Sequence, residues 1–303
     1  MIWQRKVVPK NENNKVHWQA LYQQLDKFLV LLSAYNFEEI LNFLEKVCPP
    51  IALKQPIVFV EGNIAVGKTS FLHSLTDPRI LKIDEPVDVW NAIICSNNKS
   101  IFVNYYERAS KACGIFLVFL FPVFPHFFRN ISHIFNIFSN LPKVFEFQLT
   151  AIVVRYLIFA HLIVPARTSV IAAERSPFSD ELFFDLNIDD CPKEYRADYK
   201  ALLAVVQSKF SRYGFLFLEA DSTAQLLNNI KKRNRPGEEK ISEDYLNSVN
   251  TAYEIFQQRA ANLTYKISRD GKLNAARKKK TAIVCCASLL CRVCCGRARR
   301  PRI

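Results

Sequence analysis

Residues 57–69 read IVFVEGNIAVGKT, an apolar run that leads into the pattern G-x-x-x-x-G-K-[ST]. A short run that is apolar throughout is typical of a parallel strand buried on both faces. Two glycines, Gly62 and Gly67, let backbone N–H groups surround phosphate oxygens. Lys68 then reaches the outer phosphates, and the Thr69 hydroxyl ligates Mg²⁺. The stretch therefore predicts a strand, a phosphate-binding loop and the start of a helix.

Strand and helix patterns alternate along most of the remaining chain. Apolar runs predict further strands at 80–83, 169–173, 215–218 and 263–267. Helical segments are predicted at about 147–163, 223–233 and 242–260. Strands alternating with helices indicate an α/β fold, in which a central parallel sheet carries helices on both faces.

Acidic residues follow two of these strands. Glu85 comes shortly after the 80–83 run, and Glu174 and Arg175 directly follow the 169–173 run. Ligands of α/β sheets lie at the carboxyl ends of the strands. There a carboxylate can accept the proton of an attacking hydroxyl, an acid can hold Mg²⁺, and an arginine can neutralise phosphate charge. From these features alone, a solvated loop acid and a surface ion pair stay open as alternatives.

A basic segment separates the last two predicted helices. Residues 231–239 read KKRNRPGEE. Such a loop at a helix boundary suits a lid that folds over ATP phosphates and expels water. The alternative is a solvated charged face, which is the commoner role of a charge run.

Taken together, these motifs resemble those of the deoxynucleoside kinase family. The segments that match in order and spacing are 61–69, 85–87 with Trp90, 174–176 and 233–238. The resemblance spans about residues 56–260, apart from a phenylalanine-rich insert. It implies a P-loop kinase with a basic lid, which moves the γ-phosphate of ATP, bound with Mg²⁺, onto the 5′-hydroxyl of a deoxynucleoside.

The resemblance also implies roles for individual residues. Glu85 is expected to be the general base, and Arg175 to position the 5′-hydroxyl and stabilise the transferred phosphoryl group. Thr69 and Glu174 are expected to hold the metal. The ATP-binding set is Gly62, Asn63, Ala65, Gly67, Lys68, Thr69, Ser70, Arg233 and Arg235. The nucleoside-binding set is Trp90, Tyr106, Phe147, Gln148, Ala151, Arg155, Asp180, Phe184 and Glu238.

Within the nucleoside-binding set, the resemblance separates contacts to the base from contacts to the sugar. Gln148, which follows Phe147, is expected to read the base edge, and Phe184 to stack on the base. Tyr106 and Glu238 are expected at the 3′-hydroxyl. An aromatic slot with one amide suits a base, because the amide offers a donor and an acceptor together.

Three positions bear on the choice of base. Gln148, Ala151 and Arg155 share one face of a helix, and Asp180 lies six residues after Glu174. An alanine, an arginine and an aspartate here resemble the deoxycytidine/deoxyguanosine kinase branch, where the thymidine-preferring branch has apolar residues. An Arg–Asp pair would hold an amino-bearing base edge and crowd the thymine methyl group. A purely structural ion pair is the alternative.

Within the region that resembles the family, the sequence departs from the pattern at two places. Asn229 stands where the family usually has an arginine near the adenine. An insert at about 112–143, with eight phenylalanines, separates Tyr106 from Gln148. Three interpretations of this insert are open: an apolar hairpin for membrane or partner contact, extra packing, or a translated intron, with the last slightly favoured.

The 303 residues divide into a helical N-terminal extension (1–54), the kinase domain (55–268) and a basic, cysteine-rich tail (269–303), which we expect to be disordered. Ten of the basic residues behind the net charge of +13 lie in 272–303, which contains no acid. The nearly neutral remainder does not favour nucleic-acid binding.

The sequence also bears on the cellular compartment and on the partners of the protein. Scattered cysteines and the lack of a secretory signal predict an intracellular compartment, cytoplasmic or mitochondrial. The family resemblance implies a homodimer. Membrane contact through the insert or tail is a further possibility. Two rival functions stay open, namely a thymidine-preferring kinase and a catalytically impaired paralogue that associates with a membrane or a partner.

Overall fold

A computed structural model of the protein describes residues 15–47, 56–95, 97–107, 141–163, 170–260, 264–267 and 273–274. The predicted insert up to residue 140 and the tail beyond residue 274 lie outside the described residues. In the sheet, the strands are β1 (Ile57–Glu61), β2 (Ile80–Ile83), β3 (Val170–Glu174), β4 (Tyr213–Leu218), β5 (Thr264–Ile267) and β6 (Leu273–Asn274).

Ten α-helices lie in the described part of the chain. Two precede the sheet: α1 (Lys15–Ala34) and α2 (Phe37–Val47). The others are α3 (Lys68–Ser74), α4 (Val87–Ala92), α5 (Ile101–Tyr106), α6 (Lys143–Ile163), α7 (Pro177–Leu186), α8 (Lys193–Ser208), α9 (Thr223–Arg233) and α10 (Glu243–Arg259). Short 3₁₀ turns at Ile188–Asp190 and Glu238–Lys240 complete the described helical elements.

The six strands form one sheet in the order β2-β3-β1-β4-β5-β6. All neighbours are parallel except β5 and β6, which pair antiparallel. Val60 lies opposite Glu174, and Ile83 lies opposite Ala173. Because β1, β2 and β3 end at the same level, the residues that follow them meet at one edge of the sheet.

Side chains of β1 alternate between two apolar clusters. Ile57 and Phe59 face the larger cluster, which contains core residues of α1, α2, α6, α7, α8 and α10. Val58 and Val60 face a smaller cluster with Leu72 of α3. The sheet is therefore covered on both faces, and the predicted α/β class with a parallel sheet is confirmed.

Helix α6 runs through the middle of the larger cluster. It is the one helix in the described ranges that is long and apolar enough to span a membrane, but 89% of its most apolar window, Lys143–His161, is buried inside the fold. Such burial is what a core helix of a globular domain shows. The core therefore fixes the position of four predicted site residues that this helix carries: Phe147, Gln148, Ala151 and Arg155.

The predicted N-terminal extension is helical and contains α1 and α2, which share the core of the sheet domain. In α1, Leu21, Leu25, Phe28 and Leu32 are each no more than 4% exposed. At its end, the Tyr35 hydroxyl donates to Asp198 of α8. The extension therefore packs against the kinase domain, while the domain boundary at residue 54 stays a prediction.

Candidate active site

The phosphate-binding loop joins β1 to α3, and its glycines give it its shape. Gly62 has a φ of +136°, and a Cβ atom there would lie 2.4 Å from the carbonyl oxygen of Leu218. Only glycine fits such a position without strain. Gly67 and Ala65 also have positive φ values, of +103° and +60°. Left-handed residues in such loops turn backbone N–H groups toward an anion.

Two asparagines hold this loop in place. Asn63 donates to the carbonyl oxygen of Leu246 at 2.8 Å and to the side chain of Asn250 at 2.6 Å, both in α10. Asn229 of α9 donates to the carbonyl oxygen of Ala65 at 3.0 Å. The asparagine that departs from the family pattern therefore braces the loop from the helix that precedes the lid.

The ammonium group of Lys68 bonds to the loop itself. It donates to the carbonyl oxygens of Gly62 at 3.1 Å and Asn63 at 2.8 Å. Burial, together with the nearby charge of Arg175, lowers the pKa of Lys68 to about 7. Phosphate oxygens that replaced these carbonyls would favour the charged ammonium, because an anion stabilises a cation at this distance.

Thr69 and Glu174 lie next to this lysine. The Thr69 hydroxyl donates to Glu174 Oε2 at 2.8 Å, and Glu174 Oε1 lies 4.0 Å from Lys68 Nζ. A hydroxyl and a carboxylate at the phosphate loop are hard oxygen donors, which fit Mg²⁺ when substrate phosphates and water supply its other ligands. Neighbouring Ser70 is exposed in the first turn of α3.

Glu85 and Arg175 meet at the shared edge of the sheet. Arg175 Nε lies 2.9 Å from Glu85 Oε1, and Arg155 lies 3.9 Å from the same oxygen. Burial acts to raise the pKa of Glu85, but Arg175, Arg155 and Lys68 outweigh it and hold the pKa below its ordinary value. Glu85 is therefore an ionised acceptor at the end of the parallel sheet.

A buried network holds the guanidinium of Arg175 from behind. The backbone of Arg175 has a φ of +63°. Its guanidinium carbon lies 4.3 Å from the centre of the Phe183 ring, and its Nη1 donates to the Tyr253 hydroxyl at 2.8 Å. Tyr253 in turn donates to Glu61 at 3.0 Å. Ser176 also donates to Glu61, at 2.5 Å. Burial raises the pKa of Glu61 to about 7, although its hydrogen bonds and Arg175 oppose that rise.

Arg155 and Asp180 form a two-point ion pair. Nε and Nη2 of Arg155 donate to the two Asp180 oxygens, each at 3.1 Å, and Nη1 donates to the Glu174 carbonyl oxygen at 3.2 Å. Both side chains are buried. Burial opposes the charge on Arg155, but Asp180 and Glu85 hold its pKa above the ordinary value. Burial raises the pKa of Asp180, although Arg155 opposes that rise. The two-point geometry favours the charged form of the pair and fixes both side chains in place.

An aromatic slot lies between α4, α5 and α6. Trp90 stacks on Phe102 and meets Phe147 edge to face, with ring centres 6.1 and 5.4 Å apart. The Trp90 Nε1–H is buried and has no hydrogen-bond partner among the described residues. Gln148 and Ala151 line the same side. A buried donor without a partner costs free energy, so this slot suits a polar ligand edge.

The lid segment closes over this slot. Arg233 donates twice to Glu238, at 2.6 Å each, and Arg235 lies 3.5 Å from the same carboxylate. Glu238 is 1% exposed. A Cβ atom on Gly237 would lie 3.1 Å from the Val103 backbone of α5, so the lid turn packs tightly there. In this state the two lid arginines bind the protein's own carboxylate.

A single cavity of about 50 Å³ collects most of these groups. Its lining residues are Ile64, Ala65, Lys68, Glu85, Trp90, Phe102, Tyr105, Tyr106, Phe147, Gln148, Ala151, Arg155, Glu174, Arg175, Asp180, Phe183, Arg233, Arg235 and Glu238. Residues predicted from distant parts of the sequence are therefore neighbours here.

Phe184 is the one member of the predicted nucleoside-binding set that does not line the cavity. Phe184 is fully buried and stacks on Tyr199 of α8, with ring centres 3.7 Å apart. The neighbouring Phe183 lines the cavity instead. The reason is the rotation of α7, which packs Phe184 toward α8 and leaves Phe183 on the side of Arg175.

Three polar residues of the site have no role in the sequence prediction: Glu61, Tyr105 and Tyr253. A signal existed for Glu61, because it directly precedes the phosphate loop at the end of a buried strand. Tyr105 and Tyr253 carry no such signal, since both lie within ordinary helical segments. Their importance follows only from the contacts that the fold creates.

A phosphate-binding loop, an ionised carboxylate and a buried arginine at one edge of a parallel sheet define the class of P-loop phosphotransferases. Within that class, the model of the family described as deoxynucleoside kinase matches residues 58–291, and the chain belongs to that family. It is therefore an ATP-dependent nucleoside kinase. Among curated proteins, none matches the chain.

Solved structures include similar folds. Deoxyadenosine kinase from M. mycoides with bound dATP has a TM-score of 0.50 and 18% sequence identity, over 78% of this chain and 99% of that chain. Deoxyadenosine kinase from M. mycoides with the products dCMP and a flexible dCDP has a TM-score of 0.48 and 17% identity, over 77% and 97% of the two chains. At this identity, the first comparison bears on the fold alone.

Proposed function

We propose that this enzyme phosphorylates the 5′-hydroxyl of a deoxynucleoside whose base carries an amino group, namely deoxycytidine or a purine deoxynucleoside. The supporting observation is the buried Arg155–Asp180 pair, which lines the cavity beside Glu85. A fixed carboxylate and guanidinium offer an acceptor and donors to a base edge, and leave no apolar space for a thymine methyl group.

In this proposal the acceptor hydroxyl lies between Glu85 and Arg175. The 5′-oxygen forms a bond to the γ-phosphorus, the bond between that phosphorus and the ADP oxygen breaks, and the hydroxyl proton passes to Glu85. Arg175, held by Tyr253, faces the charge that develops on the phosphoryl oxygens. The held guanidinium needs little reorganisation during the step, which is what makes electrostatic stabilisation effective.

Mg²⁺ would be held by Thr69 and Glu174, whose side-chain oxygens lie 2.8 Å apart at the loop. When bound, the ion neutralises phosphate charge and orients the phosphate chain. Lys68 would contribute a positive charge on the same side. Arg233 and Arg235 would contribute two more from the lid, if ATP draws them from Glu238.

The test is ATP-dependent phosphorylation of deoxycytidine, deoxyguanosine, deoxyadenosine and thymidine in parallel, with Glu85→Gln as the variant. We expect turnover of the first three above thymidine, and a fall in kcat of at least about 100-fold in the variant. Asp84→Asn is the matched control, because Asp84 is an adjacent, exposed carboxylate that pairs with His73. Control activity should stay close to wild type.

Two outcomes would contradict the proposal. If thymidine is the best substrate, the argument from the Arg155–Asp180 pair is wrong. If ATP binds but no deoxynucleoside is phosphorylated, the chain is a catalytically impaired paralogue, and co-sedimentation with vesicles would then test membrane association.

We also propose a homodimer in an intracellular compartment, supported by the resemblance to the family and by the cysteine usage. Light scattering of the purified chain tests the first part, since a dimer should give twice the mass of 35.0 kDa. A monomer at working concentration would contradict it. Imaging of the tagged full chain tests the compartment, and secretion would contradict that part.

A further inference from the structure

Tyr105, in α5, contacts Phe147 and Gln148, two adjacent members of the predicted nucleoside-binding set. Its ring stacks on Phe147 with centres 4.4 Å apart and an interplanar angle of 25°. Its hydroxyl accepts a hydrogen bond from Gln148 Nε2 at 3.1 Å. A stacked ring with a polar edge toward an amide is the arrangement expected of a bound base.

The space around Tyr105 supports the same interpretation. The catalytic cavity, of about 50 Å³, is far smaller than the few hundred Å³ that ligand sites have. On the other side of Tyr105 and Tyr106 lies a second cavity of about 280 Å³, lined by Asn187, Ile241 and Tyr245 among others. The two tyrosines line both cavities and thus form the wall between them.

Polar groups for a second position of this ring are already present. Asn187 donates to the Tyr105 hydroxyl at 3.0 Å, and the Tyr245 hydroxyl lies 3.4 Å away. Both groups line the second cavity. If the ring moved toward that cavity, its hydroxyl would keep these partners while releasing Gln148.

We propose that Tyr105 occupies the base site in the unliganded enzyme and must turn toward the second cavity before a nucleoside can bind. Tyr105 then limits both the apparent affinity for the nucleoside and the size of base that enters. The proposal rests on the function proposed above, because it takes Phe147 and Gln148 to be the base-reading pair.

If only the open state binds the nucleoside, the measured affinity is the affinity of the open state multiplied by the fraction of molecules that are open. If the open state holds about a tenth of the molecules or less, the measured Kd is at least about tenfold weaker than that of the open enzyme. Removing the ring makes the open state permanent. Removing only the hydroxyl weakens the closed state, since the Gln148 bond is lost while the stack on Phe147 remains.

The experiment measures the Kd of radiolabelled deoxycytidine and deoxyadenosine by equilibrium dialysis, without ATP, for the wild type, Tyr105→Leu and Tyr105→Phe. We expect Tyr105→Leu to bind at least about tenfold more tightly, with Tyr105→Phe between it and the wild type. ATP binding and thermal melting, measured on each protein, show that the phosphate loop and the fold are intact. Tyr35→Leu, which removes a ring contacting Phe145 and Tyr195, should leave both Kd values unchanged.

The outcomes separate the two proposals. Unchanged or weaker nucleoside binding by the variants, in an enzyme that phosphorylates deoxycytidine, overturns the role of Tyr105 and leaves the function standing. If no protein binds or phosphorylates any deoxynucleoside while all bind ATP, both proposals fail. Should Tyr105→Leu not fold, Tyr105→Phe decides, because it keeps the ring: binding no tighter than wild type overturns the inference.

Discussion

Replacing Asp180 by alanine removes both carboxylate oxygens that accept hydrogen bonds from Arg155, a residue that is 3% exposed. Breaking a buried ion pair from one side costs about 3 to 5 kcal/mol of unfolding free energy, because the remaining charge is left without compensation. Arg155 would keep Glu85 at 3.9 Å and the Glu174 carbonyl at 3.2 Å. We therefore expect the lower end, about 3 kcal/mol, or a fall in Tm of about 6 to 12 °C.

The double variant Arg155→Met/Asp180→Ala removes both charges together. Because no buried charge is left alone, its stability should return to within about 1 kcal/mol of the wild type. Urea unfolding of the wild type, both single variants and the double variant completes a double-mutant cycle. With a loss of about 3 kcal/mol in each single variant and about 1 kcal/mol in the double variant, the expected coupling is about 5 kcal/mol. An Asp180→Ala variant as stable as the double variant would refute the argument that the pair is charged and buried.

The same proteins test whether the pair selects the base. In the double variant we expect kcat/KM for thymidine relative to deoxycytidine to rise by at least about tenfold, because the methyl group gains space and the amino edge loses its carboxylate acceptor. An unchanged ratio, with the expected stability coupling present, would mean that the pair is structural only.

Two further predictions concern the network behind Arg175. Tyr253→Phe should lower kcat about tenfold while KM for ATP stays nearly constant, because a charge-assisted hydrogen bond worth about 1.4 kcal/mol is lost. Tyr35→Phe is the control in the same steady-state assay, because it loses a hydrogen bond to Asp198 outside the cavity. Equal losses of kcat in both variants would contradict the role of Tyr253 in holding Arg175. The pKa of Glu61 is about 7 in the folded protein, against an ordinary value of 4.5. Between pH 4.5 and pH 7, the carboxyl group is therefore protonated in the folded state and ionised in the unfolded state. The free energy of unfolding of the wild type should therefore fall with rising pH across this window, by on the order of 3 kcal/mol. Urea midpoints measured at pH 5 and pH 8 should show a much smaller fall for Glu61→Gln. An equal fall in both proteins would contradict the assignment of this pH dependence to Glu61.

Much of the site follows from sequence because of where strands end. Glu85, Glu174 and Arg175 each come at or just after a predicted parallel strand, and the ends of parallel strands share one edge of a sheet. The register of β1, β2 and β3 brings these residues together as that rule requires. The phosphate loop is predictable for a similar local reason, since its glycines are needed by the backbone itself.

Contacts that depend on how each helix is rotated and packed could not be predicted from the sequence. Phe183 and Phe184 are adjacent and chemically identical, so only the packing of α7 against α8 decides which ring reaches the cavity. Tyr253 is 78 positions away from Arg175 in the chain. Nothing in its helical segment marks it, because a tyrosine on the buried face of a helix is ordinarily a core residue.

The small cavity has one physical explanation that links the loop, the lid and the base slot. Lys68 donates to two loop carbonyls, Glu238 accepts from Arg233, and Gln148 donates to Tyr105. Each of these three groups is thus satisfied by the protein, as most buried polar groups are, whereas the Trp90 Nε1–H in the same slot has no partner among the described residues. A ligand therefore exchanges hydrogen bonds here instead of adding them, and the net gain per contact is small. The site should therefore select ligands that form a hydrogen bond with each group whose internal partner they displace. A ligand that displaces an internal partner without forming the replacement bond leaves a buried polar group unpaired, which costs free energy.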